Sequence, residues 1–400
     1  MSDRPALEVA DIIRAHGEDY RRARGGKLTS AEEYVLRSLA ACRTAVLGGH
    51  LEECGECGHQ RPAYNSCGNR HCPKCQAAAR AAWLDAQRAN LLPVPYFHVV
   101  FTLPDHLSPL ALQNKEVLYD LLFRAAAETL QEVAATPKHL GAEIGFLAVL
   151  HTWGQNLLHH PHLHCVVPGG GLSPDGSHWI ASHKEDFFVP VKVLSAVFRG
   201  KFLDYLKRAF TENKLAFHGR LAELAQAEAF QRLLSACYGT KWVVYAKPPF
   251  GGPEQVLKYL ARYTHRVAIS NQRLISLEDG LVTFRWKNYA AGNEQQTMTL
   301  TAVEFLRRFL LHRLPSHFVR IRHYGFLANR HRAEKLACCR TLLGVIVPET
   351  PAEPTENREP KDEHDPQRCP ACGGRMRIVG HCPRPGGRQL LEIPWPWNTS

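Results

Sequence analysis

The 400-residue chain has no Gly-rich loop ending in Gly-Lys-Ser/Thr, so neither a nucleotide cofactor nor a reaction driven by nucleotide hydrolysis is expected. No stretch approaches ~18 consecutive apolar residues, which argues against a membrane span and against a membrane partner. The opening segment MSDRPALEVADIIRAHG scatters charges and holds no apolar h-region, so no signal peptide is expected and the chain reads as cytoplasmic. No internal repeat is visible. With 45% hydrophobic and 22% charged residues, the composition also excludes a mostly disordered chain.

What the chain does have is positive charge and cysteine. Lys plus Arg (49) exceeds Asp plus Glu (38) by 11, a surplus that suits a polyanionic partner. In a reducing compartment, 13 cysteines point to metal sites before disulfides. The length suits two or three domains at ~150 residues each.

Residues 1–92 read as helix, cysteine-rich knot, helix. Ser30 with Glu33 resembles a capping box for the helix carrying Val35, Leu36, Leu39 and Ala40. Residues 95–336 mix strands and helices without a regular β-α-β order, which predicts an α+β fold. Strands are expected at YFHVVFTLP, IGFLAVLHTW (144–153), HLHCVVP (162–168) and KWVVYA, and helices at 115–135, 191–213, 219–236 and EQVLKYLARY. Asp279-Gly280 marks a hairpin turn in RLISLEDGLVTFRW. Residues 349–366 hold seven acidic residues, two basic ones and four prolines, the composition of a solvated linker. A short cysteine-bearing tail, 367–400, follows.

Five groups of residues carry chemistry. Cys54-x2-Cys57 and Cys72-x2-Cys75 each offer two thiolates, and their separation allows both pairs to close on one structural zinc. Cys67 and His71, with Cys42 and His50, supply ligands enough for a second ion. In the tail, Cys369, Cys372, His381 and Cys382 make a complete zinc ligand count. On a strand, His162 and His164 share a face about 6.5 Å apart and can converge on one divalent ion. His151, or Gln155 in the following loop, is the third-ligand candidate, and a set of two or three imidazoles leaves open positions for catalysis. Tyr259 and Tyr263 are one helical turn apart, surrounded by Lys258, Arg262, His265 and Arg266. Finally, 307–335 holds eight Lys/Arg against one acidic residue, with aromatics interleaved; Arg320, Arg322, Arg330 and Arg332 are its candidate DNA contacts. The bland alternatives are metal-free buried cysteines, a tyrosine pair packed on the core and a merely solvated basic face.

With these motifs placed, the chain resembles the HUH endonucleases, in which two histidines flank a bulky hydrophobic residue. More closely, it resembles bacterial rolling-circle insertion-sequence transposases of the two-tyrosine, IS91 type. The resemblance rests on SCGNRHCPKCQ (66–76), HPHLHCVVPGGG (160–171), YLARYTHRVAIS (259–270) and IRHYGFLANRHR (321–332), and covers most of the chain. It implies a central antiparallel sheet with flanking helices at 95–336, a small N-terminal zinc-binding domain, and Mg²⁺ or Mn²⁺ held by His162 and His164. Tyr259 and Tyr263 would then be nucleophiles, and the partners single-stranded or hairpin element ends and target DNA. An HUH replication initiator or relaxase would share this chemistry. A non-catalytic zinc DNA-binding regulator would leave the histidines and tyrosines unexplained. A small-molecule metallohydrolase is disfavoured because Cys165, Val166 and Val167, and no Asp-His, follow the histidine pair.

Overall fold

The computed structural model describes residues 7–182, 188–250, 255–256, 267–288, 292, 294–345 and 368–385. The N-terminal part comprises helices α1 (Val9–Ala23) and α2 (Ser30–Ala41), strands β1 (Gly49–Cys54) and β2 (Gln60–Tyr64), and helix α3 (Pro73–Arg88). The capping box of α2 is built by Thr29 and Glu32, one residue earlier than Ser30 and Glu33. Thr29 takes extended φ/ψ, so its hydroxyl accepts from the Glu32 amide while the Glu32 carboxylate returns to the Thr29 amide.

The central sheet is assembled from β3 (Tyr96–Thr102), β4 (Phe146–Trp153), β5 (His159–Pro168), β8 (Val244–Phe250) and β12 (Ile321–Tyr324), in the order β12-β4-β5-β3-β8. Every pairing in it is antiparallel, as the α+β expectation requires. Helices α4 (Ser108–Gln113) and α5 (Lys115–Ala135) lie between β3 and β4 in sequence; a small ribbon of β6 (Gly170–Leu172) and β7 (Trp179–Ala181), then α6 (Val191–Thr211) and α7 (Ala227–Gly239), precede β8.

Period-two alternation gives the sheet two different faces. Phe97, Val99, Phe101, Phe146, Ala148, Leu150, Leu163, Cys165 and Val167 form one core with Leu118, Leu122 and Phe123 of α5 and Phe198, Phe202 and Leu206 of α6. On the opposite face Leu147, Val149 and Val166 pack with Leu92, Val94, Val256, Phe326 and Leu336. That second face is apolar over only part of its length. The rest carries histidines.

A meander of β9 (Leu274–Glu278), β10 (Leu281–Asn288) and β11 (Glu294–Thr301) leads into α8 (Ala302–Leu311). Its first turn is at Asp279-Gly280, both at positive φ (50° and 72°), the geometry that a two-residue hairpin favours. One apolar cluster spans the division expected at residue 92. Val9, Ile12, Ile13, Leu36 and Leu39 are buried together with Val282, Phe284, Phe305 and Phe309, each amphipathic group covering the other's apolar face. Helix α9 (Arg332–Leu342) follows β12, and β13 (Met376–Cys382) closes the described chain as an edge strand against β1. None of the described helices is long and apolar enough to cross a membrane.

Candidate functional site

Strands β4 and β5 are joined by the short loop at 154–158, which sets their register so that His151 lies directly opposite His162 and Val149 opposite His164. One strand position therefore separates the diagonal pair, and the ring nitrogens of His151, His162 and His164 all come within 4.8 Å of one another. Their ring centroids are 5.5 Å (His151–His162), 4.5 Å (His151–His164) and 4.9 Å (His162–His164) apart, each pair edge to face. That is the arrangement of rings aimed at a common point.

Two outer contacts orient the rings. His162 Nδ1 lies 2.7 Å from the His160 carbonyl, so Nδ1–H donates and the Nε2 lone pair is left for a ligand. His164 Nδ1 lies 2.8 Å from His98 Nε2, and both residues are buried. Burial holds the His162 imidazole neutral, with its pKa down at about 4. Neutral imidazole is the form that coordinates a metal, so the three residues fit a divalent ion with open positions. Trp153 stacks on His151 at 4.5 Å between centroids, and backs it with an apolar wall.

The loop is pinned from outside. Arg273 donates to the Gln155 carbonyl, Arg308 to the Asn156 carbonyl at 3.0 Å, and His312 Nε2 to the Leu157 carbonyl at 3.0 Å. Gln155 thus contributes its main chain to this clamp.

Tyr259, Tyr263, Lys258, Arg262 and Arg266 lie outside the described residues. The described residues on both sides of them are anchored near the histidines. Val256 is fully buried against the histidine-bearing face with Val149 and Val166. Val267 and Ala268 line a small cavity with Trp153 and His312.

The cysteines group differently from the sequence expectation. Cys54 and Cys57 do not meet Cys72 and Cys75. Cys72 and Cys75 join Cys42 and Cys67, the four sulfurs lying within 4.8 Å of one another. Cys42 closes the end of α2, and Pro73 starts α3 directly after Cys72, so the ends of two helices deliver Cys42, Cys72 and Cys75, while the preceding loop delivers Cys67. Sγ–Sγ distances of 3.6 Å approach the ~3.8 Å edge of a tetrahedral Zn–S₄ centre, and the set fits zinc. His71 is not a member: its ring faces the cavity shared with Arg70, Arg320 and Trp153. Cys54 and Cys57 come together with Cys369 and Cys372 of the tail. His381 and Cys382 do not join, because β13 carries them along its edge to positions opposite His50 and Gly49.

The basic segment is largely committed within the fold. Arg307 and Arg308 pair with Glu304, Lys335 with Glu143, and Arg320 with Gln76. Arg322 pairs with Asp120 and lies 4.1 Å over the Phe123 ring. Of the four arginines singled out, Arg330 is exposed and Arg332 partly so.

His98 was absent from the sequence expectations. The signal was there: Phe97, Val99 and Phe101 are all core residues, so alternation puts His98 on the opposite face, diagonal to His164.

A family model described as "Transposase zinc-binding domain" matches residues 12–103, and one described as "Putative transposase" matches 145–335. The chain is 58% identical over 375 residues to "Putative transposase y4qJ" of Sinorhizobium fredii, covering 92% of this chain and 94% of that protein. It is 32% identical over 360 residues to the transposase for insertion sequence element IS801 of Pseudomonas savastanoi pv. phaseolicola, covering 88% and 84%. A solved structure of the conjugative relaxase TrwC in complex with OriT DNA aligns at 14% identity and a TM-score of 0.24, over 62% of this chain and 73% of that one. A score that low supports no argument.

Proposed function

This chain belongs to the IS91-type family of insertion-sequence transposases, and we propose that it nicks and rejoins single-stranded DNA through its tyrosines beside the His151–His162–His164 cluster. The phenol oxygen of Tyr259 or Tyr263 attacks a phosphodiester at the element's end. A P–O bond to tyrosine forms as the P–O3′ bond breaks, the phenol proton is released, and the departing 3′ oxygen takes up a proton. The products are a 5′-phosphotyrosine and a free 3′-OH. One phosphodiester replaces another, so no nucleotide hydrolysis is needed, in keeping with a sequence without a Walker loop. The second tyrosine performs a second cleavage, and attack by a 3′-OH on the phosphotyrosine reseals a strand.

Bound at the three imidazoles, Mg²⁺ or Mn²⁺ would supply Lewis-acid stabilisation of charge on the phosphoryl oxygens; an imidazole-rich set leans toward Mn²⁺. Everything else falls to the protein. His160 and His98 hold two of the rings in register, Trp153 excludes water from one side, and Arg330 and Arg332 remain available for phosphates. The zinc-binding domain and the 95–336 catalytic domain divide the work between scaffold and chemistry, with 349–366 as a linker.

The observation that carries this reading is the convergence of three imidazoles on two paired strands, with Val256, three residues before Tyr259, buried on the same face. Incubating the protein with labelled single-stranded element termini and Mg²⁺ should give a covalent adduct stable to denaturation. Changing both Tyr259 and Tyr263 to Phe should abolish it; label still migrating with the double variant would refute the assignment.

A further inference from the structure

We propose that the tail completes a second zinc site, made by Cys54 and Cys57 together with Cys369 and Cys372, which ties the C-terminal segment to the N-terminal module. Four observations converge. Closure of Cys42, Cys67, Cys72 and Cys75 on one ion leaves Cys54 and Cys57 as an incomplete pair, and the tail brings its two thiols to them over more than 300 residues of chain. Cys54 and Cys372 sulfurs are 3.5 Å apart and those of Cys57 and Cys369 3.6 Å, close to the edge of a tetrahedral tetrathiolate and far from the ~2.05 Å of a disulfide.

The two Cys-x2-Cys turns are also built alike. The Gly58 amide donates to the Cys54 carbonyl at 3.0 Å, and the Gly373 amide to the Cys369 carbonyl at 2.9 Å. The Cys54 amide donates to the His59 carbonyl at 2.9 Å, and the Cys369 amide to the Gly374 carbonyl at 2.7 Å. Each turn places its glycine at positive φ, 69° for Gly58 and 80° for Gly373, where a side chain is unfavourable. In the tail turn, the Ala371 and Gly374 amides point at the Cys369 and Cys372 sulfurs from 3.4 Å, and donors so placed favour thiolate.

The strands hold this geometry. β13 pairs antiparallel with β1 from Gly49↔Cys382 to Cys54↔Met376, and β1 pairs in turn with β2, giving a three-stranded ribbon. Among the described residues such a ribbon buries little: Cys54, Cys369 and Met376 make up its cluster, while Ile378 and Val379 stay exposed. A core this small cannot hold a strand by apolar burial alone, and a tetrahedral ion supplies the missing cross-link.

The full-length chain, purified under reducing conditions without chelator, should contain two zinc ions by plasma mass spectrometry. Cys369→Ser/Cys372→Ser should contain one, and Cys372→His, which restores a fourth ligand, should return the content to two. In a full-length chain carrying a protease site within 349–366, cleavage should leave the tail fragment co-eluting with the body until a chelator releases it. This second measurement decides the matter should the serine variant fail to fold. One zinc in the unaltered chain, two in the double serine variant, or a fragment that separates while zinc is present would overturn the proposal. Four thiols missing from alkylation in the non-reduced protein, with no second zinc, would overturn it in favour of disulfides.

Discussion

Replacing His98 by Phe isolates the positioning of His164, the proposed metal ligand, from the chemistry at it. His98 is 3% exposed and its Nε2 lies 2.8 Å from Nδ1 of His164, itself 8% exposed. If His164 is to keep its Nε2 lone pair for a ligand, its Nδ1 carries the proton and His98 Nε2 accepts it. Phenylalanine keeps an aromatic ring beside His164, where the planes are 10° apart, but offers no acceptor for the proton. The buried N–H then loses a partner, at a cost of about 1–3 kcal/mol. Loss of such an outer contact lowers metal affinity about 10–100-fold, equivalent to roughly 1.4–2.8 kcal/mol. The assay is the nicking rate of a single-stranded terminus as a function of Mn²⁺ concentration. The half-saturating concentration should rise within that range while the rate at saturating Mn²⁺ stays near wild type. His164→Ala, by contrast, should be inactive at every concentration tested. An unmoved midpoint would refute the positioning role; so would a collapsed maximal rate with the midpoint unchanged.

Three further outcomes follow from particular contacts. Gly325 has φ +59°, and a Cβ there would sit 1.7 Å from the Ile144 carbonyl oxygen, so Gly325→Ala should lower the thermal midpoint by the equivalent of about 2 kcal/mol or more; an unchanged midpoint would show that the turn reshapes freely. Thr29→Ala should cost about 1 kcal/mol in chemical denaturation and Ser30→Ala far less, since the hydroxyl that caps α2 belongs to Thr29. Burial lowers the His312 pKa to about 3, below the ~6.5 of an unfolded chain, so its contribution to stability is full above pH 6.5 and lost as pH falls toward 3. His312→Phe should therefore flatten the dependence of the denaturation midpoint on pH between 6.5 and 4; equal slopes for the two proteins would exclude this residue as the cause.

The strands and helices that position the histidines were legible because their patterns are local. IGFLAVLHTW and HLHCVVP are short, largely apolar runs, which the sheet buries on both faces, and 115–135 presents buried residues at helical spacing, as α5 does through Leu118, Leu122, Ala126 and Leu130. That His151 comes close to the histidine pair was legible too, because a hairpin between the two strands brings it there, but the sequence left Gln155 as an alternative and the register itself open. Cysteine partnership was not. Two Cys-x2-Cys turns separated by 14 residues can close on one ion or each find another partner, and only the tertiary path says which; Cys42 and the tail cysteines were visible as ligands, but not which pair each would join. Charge was illegible for a different reason. A run of arginines in sequence says nothing about the acidic residues that meet it in space, and Glu304, Asp120 and Glu143 neutralise four of the eight cations in 307–335.

The two kinds of metal-binding group sit on different backbone devices, and the difference follows from what each must do. The thiols stand on turns and helix ends, where the chain wraps around a point and can deliver a fourth ligand; a closed coordination sphere stabilises the local fold and leaves no position for a reactant. The imidazoles stand on neighbouring strands of a five-stranded sheet, which present side chains from one side only. Ligands arriving from one side leave the other open to a phosphate. The sheet's far face is packed against α5 and α6, so the ligand strands cannot bend to enclose the ion, and the loop between them is clamped by Arg273, Arg308 and His312. Rigidity there serves pre-organisation, because a ring displaced by 1 Å would no longer aim at the common point. The phosphodiester exchange proposed above would gain nothing from a fuel molecule and would depend on that placement.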